Sequence, residues 1–117
     1  MKFFKFFVLA FALAFALTAC TKSTSPTDGA KQMQDTLVQM QKDVDANDAA
    51  KTKADADKLE ESWEKFEDGV KKNQADVYQK VEEPLGAIQS AAGQTTLDQA
   101  TLKDQINKLN EALNQIK

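Results

Sequence analysis

The sequence has no histidine and no arginine, and Cys20 is its only cysteine. Without histidine and with a single thiol, most nucleophile and base pairs are excluded, as are the common zinc sites built on His and Cys. Without arginine there is no bidentate fork for carboxylate or phosphate recognition. A sole cysteine forms no intramolecular disulfide, so stability has to come from packing. The four glycines make no phosphate-cradling loop, and no basic patch is interleaved with aromatics. An enzyme would have to work with carboxylates alone, as in glycoside hydrolysis, and that chemistry needs a cleft that a small bundle rarely provides. Binding or docking, rather than catalysis, is the expectation.

What is present begins at the amino terminus. Lys2 and Lys5 are followed by an apolar run from Phe6 to Leu17 and then by small residues, the charged, apolar and cleavable order of a secretory signal. The run is too short to span a bilayer core, which takes roughly 20 residues of helix. Leu17, Thr18, Ala19 and Cys20 resemble the bacterial lipobox, with Thr18 one of its less common choices. That resemblance implies cleavage before Cys20 and attachment of a diacylglyceryl thioether and further acyl chains, palmitate among them. Two or more chains at about 0.8 kcal/mol per buried methylene hold a protein on a membrane, whereas one is marginal. The other reading is a soluble secreted protein whose cysteine happens to fall near its cleavage site. Thr21 differs from the aspartate that retains lipoproteins at an inner membrane. The expected location is therefore the extracytoplasmic face of the cell membrane, or the outer membrane where there are two.

Residues 1–19 thus read as a signal peptide, 20–29 as the lipidated cysteine with a polar tether, and 30–117 as the domain. Losing Lys2 and Lys5 leaves 13 Lys against 18 Asp and Glu, a net charge of −5 compared with −3 for the whole chain. An acidic surface disfavours nucleic acid and anionic headgroups and suits cations or basic proteins.

The tether, Thr21 to Gly29, is polar, contains Pro26, and ends beside Asp28, a candidate cap for the next helix. From about Ala30 to Ala46, Met33, Leu37, Met40 and Val44 recur at helical spacing. Asn47 and Asp48 offer a turn, and a second helix is read from Asp48 to Lys72 with Leu59, Trp63, Phe66 and Val70 on its stripe. After Asn73 and Gln74 a third helix, about Ala75 to Ser90, carries Val77, Val81, Leu85 and Ile88. Pro84 inside that pattern predicts a kink or a chain break. Ala91 to Thr96 reads as a loop, with Thr96 and Gln99 as a capping box. The last helix, about Leu97 to Ile116, carries Leu102, Ile106, Leu109, Leu113 and Ile116. Four stripes without period-two alternation predict an all-α, antiparallel up-and-down bundle; a long rod formed by merging the central helices is the rival.

Acidic and aromatic residues carry the chemistry that remains. At 100° per residue Glu60, Glu64 and Glu67 fall within about 60° of one another, beside the Trp63 stripe. Tyr78 and Glu82 take the corresponding flank of the third helix. If the flanks meet, carboxylates and a phenol converge as oxygen ligands of the kind hard cations prefer. The alternative is an ordinary solvated face, with Glu61 and Lys65, and Glu67 and Lys71, as i, i+4 pairs. Trp63 is either a core anchor or a ligand platform. Met33 and Met40 fill a core stripe and do not make a copper site.

Trp63 and Glu67 four apart, followed by Tyr78 and Glu82 four apart, give the region from about Val44 to Ile88 a further resemblance. It is similar to the extracytoplasmic helical segment of bacterial high-affinity iron permeases and to helices of Efe-type iron-uptake lipoproteins. The chain lacks the permease's transmembrane bundle and its Arg-Glu-x-x-Glu motif, and the His-x-x-Glu motif of the larger iron lipoproteins. The resemblance implies an accessory role: weak iron binding through Glu67 and Glu82 with Glu60, Glu64 and Tyr78 as neighbours, or docking to an iron permease or another envelope protein. A structural or interaction lipoprotein without a ligand is the other reading.

Overall fold

The structure, a computed structural model, describes residues 24–117. The expectations for the signal peptide, Cys20 and its first neighbours concern residues 1–23 and lie outside the described residues. Among the described residues the chain is all-helical: α1 (Pro26–Asp45), α2 (Ala49–Glu64), α3 (Glu67–Asn73), α4 (Ala75–Ala92) and α5 (Gln99–Asn114). The first and last long helices pack on each other, and each of α1 and α5 also packs on one of the central pair, α2 and α4, which pack together. The four long helices therefore close on themselves as an up-and-down bundle, and the rod is set aside. The short α3 lies mainly against α4.

The core contains every stripe residue read from periodicity and adds Ala30, Ala56, Ala92, Leu97 and Ala112. Met33, Met40, Val44, Leu59, Val81, Ile88, Leu102 and Leu109 are fully buried, and the rest of each stripe is nearly so. Burying a side chain of this size contributes roughly 1.5–3 kcal/mol, which in a chain without disulfides is the main source of stability.

The helix ends differ from the expected ones for local reasons. α1 begins at Pro26, not Ala30, and its cap is Ser25, whose hydroxyl oxygen accepts from the Asp28 N–H at 3.3 Å. Proline is suited to the first helical position because its missing N–H would be unpaired there anyway. The added turn buries Gly29 against the Phe66 ring, so the polar stretch is shorter than the sequence suggested. At the other end Asn47 takes a left-handed conformation (φ 55°). The Asp48 N–H donates to Asp43 O and the Asn47 N–H to Val44 O, both 2.9 Å, a Schellman closure. Asp48 then caps α2 by accepting from the Lys51 N–H at 3.0 Å.

The expected second helix is two helices. Lys65 and Phe66 interrupt it, with Phe66 at φ −138°, ψ 0°, and the side chain of Phe66 turns into the core at 4% exposure. Trp63, Phe66 and Val70 are all buried on either side of the break, so their spacing conceals it. α4, by contrast, runs unbroken through Pro84, removing the chain-break reading. Lys80, whose carbonyl loses its donor to the proline, is exposed, so water can take that bond. Asp98, rather than Thr96 and Gln99, caps α5 through a 3.1 Å bond from the Thr101 N–H. Gln99 instead donates to Val44 O at 2.6 Å, tying α5 to the end of α1.

Candidate functional site

The α2–α3 break and the start of α4 bring the two flanks together. Trp63 is 1% exposed; Tyr78 stacks on it at 5.7 Å and Phe66 meets it edge-on at 5.1 Å. The indole is a core anchor, so the platform reading is not supported by its burial. Its edge reaches the flank, where Nε1–H donates to Glu82 Oε1 at 3.4 Å. Glu82, one turn on from Tyr78 and an acceptor for its hydroxyl, together with burial and the negative charge of Glu82, Glu67 and Asp68, pushes the phenol up to about 12.

The carboxylates share one field. Burial raises Glu60 above its ordinary range, helped by the charges of Glu64 and Glu82. Burial also raises Glu67, which feels Glu82, Asp68, Glu60 and Glu64. Glu60, Glu64, Glu67 and Glu82 are thus gathered around Trp63 and Tyr78 from α2, α3 and α4. They do not form a cage: among the described residues no three His, Cys, Asp or Glu side chains approach closely enough to enclose a metal ion.

The ordinary helix-pair reading of this face also changes. Among the described residues the ion pairs are Lys53 with Asp57, Lys103 with Asp45 and Lys108 with Asp104; neither Glu61 with Lys65 nor Glu67 with Lys71 is among them. Lys71 lies with its ammonium 5.5 Å from the centre of the Tyr78 ring, a cation–π contact, instead of on Glu67. Among the described residues the acidic flank has no lysine ion pair.

The chain matches no known protein family, no curated protein and no solved structure. Its functional reading therefore rests on its own residues.

One group of polar residues was not singled out from the sequence. Asp43 of α1 and Asp55 and Thr52 of α2 are buried at 7%, 8% and 0% exposure. Asp55 stands four residues before Leu59 and Thr52 seven before it, on the buried face of a segment otherwise offering only alanines to the core. An aspartate at a core register was the available signal.

Proposed function

We propose that the chain is a lipid-anchored, extracytoplasmic helical accessory module that presents the Glu60–Glu64–Glu67–Glu82 flank to a cation, in the manner of iron uptake. The observation that supports this most is the assembly of four carboxylates from three helices, none of them in an ion pair with a lysine among the described residues. Glu82 is the pivot, held by the indole N–H of Trp63 and the phenol of Tyr78. Without a closed cage, a cation here keeps much of its water and is held weakly, through electrostatic attraction and one or two carboxylates. Weak binding suits a module that delivers or concentrates a metal near a transporter. The resemblance carried by Trp63 with Glu67 and Tyr78 with Glu82 favours iron and favours an iron permease as the partner. Cys20 supplies the anchor in this reading. No described helix is long and apolar enough to cross a membrane.

Calorimetric titration of the full chain in non-ionic detergent with ferrous iron, and with ferric iron as a soluble citrate complex, tests the proposal. The wild type should give saturable heat, and a Glu67→Gln/Glu82→Gln variant should lose it. Equal heats from the two proteins would sink the site.

A second reading, an interaction lipoprotein without a ligand, draws on a different surface. Val38 is 61% exposed and lies with Leu37 and Ile106 in an open groove between α1 and α5. A second copy docking there would make the sedimentation coefficient rise with concentration, and a Val38→Glu variant would stay monomeric.

A further inference from the structure

Asp43 and Asp55 lie on opposite sides of the α1–α2 contact, both more than nine-tenths buried, with their carboxyl groups within hydrogen-bonding reach of each other. Two ionised carboxylates have no donor between them, so such a contact becomes a hydrogen bond only when one carries a proton. Asp43 is the better equipped to stay ionised, because Gln39 Nε2 donates to both its oxygens at 3.3 Å. Asp55 lacks comparable help. Among the described residues its Oδ2 is buried with no partner, and so is the Thr52 hydroxyl one turn earlier. A buried charge without donors is costly, whereas a neutral acid that donates to its neighbour is not.

We propose that Asp43 and Asp55 share one proton, carried on Asp55 and donated to Asp43, and that this proton latches α1 to α2, so that its loss loosens the helical pair. The surroundings do not supply a substitute for it. Lys51 and Lys42 act on Asp43, while Asp55 feels Lys58 in one direction and Asp48 in the other. From the helices packed on the far sides, α4 presents the uncharged Gln89, bound to Ala56 O, and α5 presents Gln99, bound to Val44 O. Lys103 of α5 is engaged with Asp45 at 2.7 Å. α3 meets α1 at its other end, beside Gly29.

The sign follows from the two protonation states. Burial first, then the Asp43 contact and its charge, push Asp55 from 3.8 up to about 7. Between those values the folded chain keeps a proton that the unfolded chain has released, so stability falls as pH rises; the contribution is full below 3.8 and gone above about 7. Asp43 has the opposite sign. Its hydrogen bond from Asp55 holds it below 3.8, and its contribution is lost only as pH falls beneath that value.

Thermal or urea unfolding of the full chain in non-ionic detergent, followed across this range, reads the latch. One proton of difference makes the folding equilibrium constant fall by up to about tenfold per pH unit. Asp55→Asn should remove that slope, leaving only the shallower dependence due to Glu60 and Glu67. Parallel profiles for the two proteins would overturn the proposal. Carboxyl-carbon NMR of the wild type gives a second reading that needs no variant to fold. One aspartate should titrate at about 7, and Asp43→Asn, whose amide can donate to an ionised Asp55, should bring that titration down. A spectrum in which every aspartate titrates near 3.8 would equally refute the latch.

Discussion

Tyr78 is the only tyrosine in the chain, so its ionisation reports on the candidate site without interference. Its phenol is held up at about 12 chiefly by Glu82, which accepts the hydroxyl proton and opposes a second negative charge beside it. Glu82→Gln keeps an acceptor but removes the charge, and should lower the Tyr78 titration part of the way toward 10.0, as followed by phenolate absorbance. An unchanged titration would separate Tyr78 from Glu82 and dissolve the centre of the flank. Tyr78 and Glu82 were legible in the sequence as a pair at helical spacing, since a four-residue interval within one helix fixes a shared face, whereas Trp63 and Glu67 stand on either side of the break between α2 and α3 and are brought together by packing. The lysine partners of the site were not legible. Sequence spacing pairs Glu67 with Lys71, but it cannot register that the Tyr78 ring, from another helix, offers that ammonium a different contact. The Asp43–Asp55 contact was hidden for the same reason: it joins two helices, and periodicity describes one helix at a time.

Two glycines show how the elements depend on their neighbours. Gly86 sits within α4 with open space where a Cβ would stand. Gly86→Ala should therefore raise the unfolding free energy by about 0.5–1 kcal/mol, the ordinary gain from restricting the unfolded chain and favouring helix. Gly29 lies within α1 under the buried Phe66 ring, and a methyl there would overlap that ring. Overpacking of this kind costs about 1–3 kcal/mol, so the packing penalty outweighs the helix gain and Gly29→Ala should destabilise. Urea midpoints of the two variants check both signs; a stabilised Gly29→Ala would mean that Phe66 does not close on α1. The same contact explains why two helix boundaries escaped the sequence. The stripe from Leu59 to Val70 is compatible with one continuous helix, and the packing of Phe66 on Gly29 joins the break after Lys65 to the extra turn of α1 that Ser25 and Pro26 begin. The four stripes themselves were legible because each faces a single core, with no competing use for its large apolar residues.

For the whole molecule, the distribution of charge makes the anchor a separable question. With residues 1–19 removed, as the lipobox reading has it, the domain carries −5 and is repelled by anionic headgroups, and no described helix can span a bilayer. In that reading stable residence on a membrane depends on acyl chains rather than on the surface of the bundle. The wild type is expected to sediment with membranes, to stay there in high salt, and to be released by detergent. Salt resistance is the informative part, because electrostatic adsorption weakens as salt screens it. Growth with a labelled fatty acid should mark the wild type, and Cys20→Ser should abolish the label and accumulate the uncleaved chain of 12.9 kDa, since processing in the lipobox reading follows lipidation. An unlabelled wild type in the soluble fraction would instead identify a secreted protein with a cysteine beside its cleavage site. It would also remove the reason for placing the acidic flank beside a membrane transporter, while leaving the Asp43–Asp55 latch intact, because the latch depends only on how α1 and α2 pack.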